Sequence, residues 1–147
     1  ALMALQWIEL DRLAPEELLI KGKMAEQFVA QHLMFRQGQE ISRSLHYWLR
    51  NGKKGAAEVD FVIAQEGKIY PIEVKAGSSG KMRSLWQLLA ERKLDQAIRF
   101  DLSLRKSPLS KVRHQVRTQK RLVNVECQLL GLPLYAVSGL EEILSAR

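Results

Sequence analysis

The sequence predicts a single α/β domain in which a mixed sheet is flanked by helices. Three observations lead to this prediction. The chain has 147 residues, about the length of one domain, and 46% of them are apolar. Segments with helical spacing of apolar residues alternate with segments of strand-like alternation. A convincing hairpin lies near the middle of the chain, between two of the helical segments.

The N-terminal third is predicted to be helical. Apolar residues at positions 2, 5, 7 and 8 suit a first amphipathic helix, and Pro15 with the acids after it marks a helix start. Residues 1–21 are therefore expected to form an N-terminal helical extension, with the main domain at 22–147. After Gly22, apolar pairs recur every three to four residues, which predicts a helix that ends near Gly38.

Three strands follow in the prediction. A short strand at residues 45–49 precedes a loop, and the segments 57–64 and 68–76 form an antiparallel hairpin across the tight turn at 65–67.

The predicted C-terminal half adds a helix at 82–95 and a fourth strand whose apolar positions alternate between residues 98 and 104. A late strand at 132–137 and a closing helix at 139–145 complete the order αβββαβ, late strand, helix.

The net charge of +7, from 23 basic and 16 acidic residues, is concentrated in one segment. Residues 102–125 contain seven basic residues and no acidic one, which excludes a uniformly basic protein of the histone type. Two interpretations remain open, a solvated, mobile loop or helix and a surface that neutralises nucleic-acid phosphates. Since no aromatic residue lies between Asp101 and Leu134, such binding would be to the backbone. The basic residues are Arg105, Lys106, Lys111, Arg113, Arg117, Lys120 and Arg121.

Several other classes are excluded by the composition. No apolar run approaches the roughly 18 residues of a membrane helix, and the N-terminus lacks the basic region of a secretion signal, so we expect a cytoplasmic protein with no membrane partner. The single Cys127 cannot form an internal disulfide, and with only three scattered histidines there is no zinc-binding pattern.

Charged residues occur inside the most strand-like segment of the chain. The two-residue period places Glu73 and Lys75 on one face of their strand, and it sets Asp60 on the face opposite Val59 and Phe61. Pairing across the hairpin can bring Asp60 near Glu73. The plain interpretation is a half-exposed hairpin whose charges form ordinary cross-strand ion pairs.

The alternative is a divalent cation site. Asp60 and Glu73 would supply hard oxygen ligands, the Val74 carbonyl could add a third, and waters would complete an octahedron around Mg²⁺ or Mn²⁺. Lys75 would then stand beside a metal-bound water, where it can orient a nucleophile that attacks a phosphodiester.

The pattern Asp60-x12-Glu73-x-Lys75 resembles the motif of the PD-(D/E)XK, or restriction-endonuclease-like, nucleases, although Val59 replaces the proline. This resemblance implies a restriction-endonuclease-like core, and it matches Glu26 to the acidic residue of the first helix. The chain is most similar to the nuclease-like C-terminal domain of unknown function of bacterial and archaeal AAA-type ATPases. Segments that carry this similarity are Gly22–Val29, Tyr47-Trp48, Glu58–Val62, Pro71–Gly77, Ser84-Leu85 and Leu132–Tyr135.

The resemblance implies an ATPase partner. The phosphate-binding motif of such ATPases, Gly-x-x-x-x-Gly-Lys-(Ser/Thr), occurs nowhere here, so we expect the ATPase in another part of a longer chain. Three hypotheses for the function follow. The first is a Mg²⁺-dependent nuclease-type domain acting on DNA, with Asp60, Glu73, Lys75 and Glu26 at its site. The second is an inactive module that binds nucleic acid or protein, and the third is a stand-alone junction-resolving endonuclease, which predicts a symmetric dimer.

Overall fold

The structure, a computed structural model, describes residues 15–36, 46–50, 57–77, 81–102, 109–118 and 120–147. Its helices are α1 (Pro15–Arg36), α2 (Arg83–Arg92) and α3 (Leu140–Ser145), with a 3₁₀ helix at Leu134–Gly139. Its strands are β1 (His46–Arg50), β2 (Ala57–Gln65), β3 (Lys68–Lys75), β4 (Gln96–Asp101), β5 (Leu109–Arg117) and β6 (Leu122–Pro133). The predicted mixed α/β architecture is confirmed.

The six strands form one sheet in the order β1-β2-β3-β4-β6-β5. The pairs β1/β2, β2/β3 and β5/β6 are antiparallel, while β4 is parallel to both of its neighbours, β3 and β6. The helices cover both faces of the sheet because each presents an apolar side. Residues of α1, the 3₁₀ helix and α3 share one buried cluster with β3 and β4, and α2 shares the other with β2, β5 and β6.

The hairpin β2–β3 forms as predicted, with a two-residue turn at Glu66 and Gly67. Both turn residues have positive φ, 51° and 75°. Turns of this kind match the right-handed twist of the two strands, and glycine accepts the second conformation without steric cost.

One extra residue in β2 changes the alternation that the sequence predicted. His46 pairs with Val62 and Trp48 pairs with Val59, so three steps along β2 face two steps along β1. Val59 therefore joins the buried cluster under α2, whereas Phe61 packs into the cluster under α1. The prediction that these two side chains share a face is wrong, because a β-bulge reverses the alternation between them. Asp60 lies in this bulge.

Over residues 109–117 and 122–125, the basic segment is strand and not the predicted loop or helix. It contributes the hairpin β5–β6, and the late strand predicted at 132–137 starts at Leu122 and ends at Pro133, where the 3₁₀ helix follows. The physical reason is the alternation of valines with polar residues. The side chains of Val112, Val116 and Val125 pack under α2, so the charged side chains between them can point outward.

Helix α1 is continuous through Gly22, so the position expected to divide the extension from the main domain lies inside a helix. The helix predicted within residues 1–8 lies outside the described residues. Cys127 is a buried free thiol of β6, and burial raises its pKa to about 12. It therefore packs as a small apolar residue. Among the described residues, no helix is long and apolar enough to cross a membrane.

Candidate functional site

The centre of the candidate site is the point where backbone pairing between β2 and β3 stops. The last paired positions are Phe61 and Ile72. Beyond them, the backbone N–H of Val74 donates a hydrogen bond to Asp60 Oδ2 at 2.7 Å, in place of a partner carbonyl. The bulge in β2 thus allows the Asp60 carboxylate to accept a hydrogen bond from the backbone of β3. Asp60 consequently lies beside Glu73 and Lys75.

Glu73 is the most unusual residue of the group because its carboxylate is buried, with only 7% of the side chain exposed. The ammonium group of Lys75 donates a hydrogen bond to Glu73 Oε1. The second oxygen, Oε2, is buried and has no hydrogen-bond partner among the residues that the structure describes. Buried polar atoms of this kind are rare, since leaving one unpaired costs about 1–3 kcal/mol.

Helix α1 brings Glu26 to the same place. A β-carbon built on Gly22 would lie 3.7 Å from the Cβ of Ala76, so the helix passes close to the residue that follows Lys75. Glu26 lies one helical turn after Gly22, and its charge interacts with those of Asp60 and Lys75. The structure therefore brings together Glu26, Asp60, Glu73 and Lys75.

Burial, and then repulsion from neighbouring carboxylates, raises the proton affinity of all three carboxylates. Burial is the main cause that raises the pKa of Glu73 from 4.5 to about 7, and the charge of Asp60 adds to it. Burial also raises the pKa of Asp60, against the opposing effects of the Val74 N–H and Lys75. Burial, followed by repulsion from Asp60, raises the pKa of Glu26. A cluster of acids with raised pKa values gains free energy when a cation neutralises it.

The donor set fits a hard divalent cation. It consists of carboxylate oxygens, which Mg²⁺ and Mn²⁺ prefer, and it includes the unpaired Glu73 Oε2. In the described part of the chain, no three acidic, His or Cys side chains are already grouped closely enough to hold a metal. Lys75 neutralises part of the charge of Glu73 in this arrangement. The Val74 carbonyl lies on the strand between these two residues, in register with Phe100 of β4.

Three further charged residues border the site: Glu58, which the strand pattern already placed with Asp60, and Arg99 and Asp101, which were not predicted from the sequence. Glu58 is exposed on β2 and raises the pKa of both Glu26 and Asp60. On β4, Arg99 and Asp101 lie in register with Glu73 and Lys75, respectively. The sequence carried a signal for Arg99 and Asp101. These two charged residues lie two positions apart in an apolar strand, as Glu73 and Lys75 do in β3.

The pair on β4 fixes the end of β3. The Arg99 guanidinium donates to the Gly77 carbonyl at 3.0 Å, and its Nε lies 3.3 Å from Asp101 Oδ2. Asp101 is buried, at 6% exposure. The chain segment after Lys75 is therefore tied to the neighbouring strand.

The basic residues lie at the other side of the sheet. Lys111, Arg113 and Arg117 are exposed on β5, and Lys120 and Arg121 lie at the connection to β6. Strands β4 and β6 separate β5 from β3, a distance of about 14 Å at the usual strand spacing. Arg105 and Lys106 lie outside the described residues. The structure does not join the basic residues that it describes and the acidic cluster into one site.

A family model, the domain of unknown function DUF4143, matches residues 21–125, which is more than half of the chain. The protein belongs to the DUF4143 family. The matched region of this DUF4143 protein includes Glu26, Asp60, Glu73 and Lys75, together with the whole of β5. Searches of curated proteins and of solved structures return no match.

Proposed function

We propose that this DUF4143 domain is a Mg²⁺-dependent nuclease-type domain of the PD-(D/E)XK kind that acts on DNA, as the C-terminal module of an AAA-type ATPase. The observation that supports it most is Glu73 Oε2, a buried carboxylate oxygen beside Asp60 that no described residue pairs, with Lys75 alongside. A buried acidic cluster next to a lysine is suited to a cation and a phosphodiester, and it would be a costly way to stabilise a hairpin.

Each residue has a role in this proposal. Asp60 and Glu73 would hold Mg²⁺ or Mn²⁺, with Glu26 as an auxiliary ligand and the Val74 carbonyl as a further oxygen donor. The bound cation would polarise a phosphoryl oxygen and lower the pKa of a coordinated water. The Lys75 ammonium, which now donates to Glu73, would orient the attacking water and donate to the phosphate oxygen that gains charge.

The exposed cations of β5 and the following turn would attract the DNA and neutralise the charge of its phosphates. Lys111, Arg113 and Arg117 supply three positive charges on one strand. Contacts of this kind give affinity that falls as salt concentration rises.

The test is cleavage of plasmid and branched DNA by the purified protein with Mg²⁺ or Mn²⁺. We expect cleavage by the wild type and its loss in Asp60→Ala and Lys75→Ala. Lys68→Ala, at the exposed start of β3, and Glu142→Ala, on the exposed surface of α3, are the matched controls and should retain activity. Absence of cleavage by folded wild-type protein with either metal would overturn the proposal.

One observation favours the second candidate, an interaction module without catalysis. Besides its buried side, α1 has a stripe of exposed apolar residues that includes Ile20, Met24, Phe28 and Phe35, of which Phe35 is 75% exposed. Exposed apolar patches of this kind often mark protein interfaces. In this alternative Asp60 only satisfies the Val74 N–H, and the stripe docks on the ATPase portion of the longer chain.

Hydrogen exchange along α1 tests this second candidate. Protection of α1 in the full-length protein, compared with the isolated domain, together with absent cleavage, would support the module. Equal exchange in both would count against docking through the stripe.

A further inference from the structure

The hairpin β5–β6 continues past the end of the central sheet. Strand β4 pairs with β6 only from Gln128 to Pro133. The earlier part of β6, from Leu122 to Cys127, pairs with β5 alone. These six residues span about 20 Å at the usual rise of a strand, so the two strands form a ribbon with β5 as its outer edge.

One face of this ribbon is anchored to the domain. Val116, Val125 and Cys127 are buried against α2, and the rings of Trp86 and His114 stack with centroids 5.0 Å apart. The ribbon is therefore held in a fixed position, although it extends past β4.

The opposite face, which we call the outer face, is exposed and polar. Arg113 is 79% exposed and Lys111 is 66% exposed, and Glu126 forms ion pairs with both. Gln115 Nε2 lies 3.4 Å from Asn124 Oδ1 across the strands, and a shallow depression is lined partly by these residues. The outer face thus presents cations and side-chain amides along two strands. Its polar members are Lys111, Arg113, Gln115, Arg117, Asn124, Glu126 and Gln128.

This combination of shape and chemistry fits one class of partner. The major groove of B-form DNA, about 12 Å wide, admits a two-stranded antiparallel ribbon. Arginine and amide side chains are the groups that recognise purine edges in that groove, and lysines and arginines at the ends of the ribbon can contact the flanking phosphates.

We propose that the outer face of the β5–β6 ribbon lies in the major groove of duplex DNA. Arg113, Gln115 and Asn124 contact base edges, while Lys111, Arg117 and the turn residues Lys120 and Arg121 contact phosphates. The inference rests on the proposed function for the class of ligand, a phosphodiester polymer. It extends that function, because it specifies duplex DNA, the groove and direct contact with bases.

The geometry discriminates between nucleic acids. Double-stranded RNA has a deep, narrow major groove that side chains cannot read, so the ribbon cannot enter it. Single-stranded DNA has no groove, and within the described part of the chain the ribbon carries no Phe, Trp or Tyr on which bases could stack. We therefore expect a preference for duplex DNA over both.

The experiment measures binding by fluorescence anisotropy in EDTA with a 30-base-pair DNA duplex, the matching RNA duplex and one DNA strand. We expect the DNA duplex to bind at least about 10-fold more tightly than the other two. Replacing guanine and adenine by their 7-deaza analogues removes acceptors only from the major groove and should weaken binding about 5-fold without changing the salt dependence. Equal affinity for the normal and 7-deaza duplexes would overturn groove binding.

Variants locate the interface. Arg113→Gln with Arg117→Gln should lower affinity about 10-fold and reduce the slope of log K against log salt by about 1–2. Arg83→Gln with Arg92→Gln removes the same charge from the exposed residues of α2 and should change affinity less than about 2-fold. Gln115→Ala with Asn124→Ala should reduce the effect of the 7-deaza substitution without abolishing it, because Arg113 still contacts guanine. Equal losses in the ribbon and α2 variants would show non-specific attraction and overturn the assignment.

The two proposals can fail separately. Binding is measured in EDTA, without the metal that cleavage requires, so its outcome does not depend on the nuclease site. Groove-dependent binding without cleavage would support the ribbon and contradict the nuclease. If the wild type cleaves DNA and the ribbon variants lose neither cleavage nor binding, the ribbon proposal is contradicted and the nuclease proposal is not.

Discussion

Replacing Glu73 by glutamine should stabilise the metal-free protein at alkaline pH. In the folded protein the carboxyl group is buried, and its pKa is about 7 instead of the ordinary 4.5. The folded state therefore retains the proton between pH 4.5 and 7, whereas the unfolded state has released it. Raising the pH through this range must lower the free energy of unfolding.

The magnitude follows from the two pKa values. A tenfold change in a protonation equilibrium corresponds to about 1.4 kcal/mol. The raised pKa of Glu73 therefore lowers the free energy of unfolding, relative to a side chain that cannot ionise, by about 3 kcal/mol at pH 8 and by about 1 kcal/mol at pH 5. Glutamine is close in shape to the protonated acid and keeps an oxygen for Lys75, but it cannot ionise.

The assay is urea unfolding of wild type and Glu73→Gln at pH 5 and pH 8 in EDTA. We expect Glu73→Gln to be more stable than wild type by about 3 kcal/mol at pH 8, with a smaller difference at pH 5. Glu126→Gln, at a half-exposed ion pair on β6, is the matched control and should change stability by less than about 1 kcal/mol at both pH values. A Glu73→Gln protein that is no more stable than wild type at pH 8 would refute the reasoning.

Three further predictions concern the same elements. Mg²⁺ at ten times its Kd should stabilise wild type at pH 8 by about 1.4 kcal/mol, raising its Tm, and should leave Glu73→Gln nearly unchanged; an equal rise in both would exclude Glu73 as a ligand. Loss of a buried hydrogen bond alone would cost about 1–3 kcal/mol. In urea unfolding of the metal-free protein, Asp60→Ala should cost less than that, because removing the Asp60 charge also removes its repulsion of Glu73. Trp86→Ala should speed hydrogen exchange in β5 more than in β2, because the indole stacks on His114 and anchors the ribbon; uniform exchange would show that it does not.

The hairpin of the candidate site was predictable because its signals are local. The two-residue period of a strand puts Glu73 and Lys75 on one side of β3, and the structure has them there as an ion pair. The Glu66-Gly67 turn fixes which strands pair and in what register. A helix was also predicted around Glu26, although local periodicity could not place that helix against β3.

The basic segment shows where local patterns were insufficient. Its valines alternate with polar residues as in a strand, but seven cations without an acid equally suit a solvated loop. The burial of Val116 against α2, about 30 residues earlier in the chain, is what makes a ribbon stable. Such contacts between distant segments leave no mark on the periodicity of either segment.

By itself, the sequence determined the α/β class, the β2–β3 hairpin and the neighbours Glu73 and Lys75, because each depends on residues close together in the chain. Only the tertiary structure decided that a bulge turns Asp60 toward the Val74 N–H, that β4 places Arg99 beside Glu73, and that β5 and β6 form a ribbon beyond the sheet. Those features depend on which strands lie side by side, and pairing between distant strands is settled by the packing of the whole core.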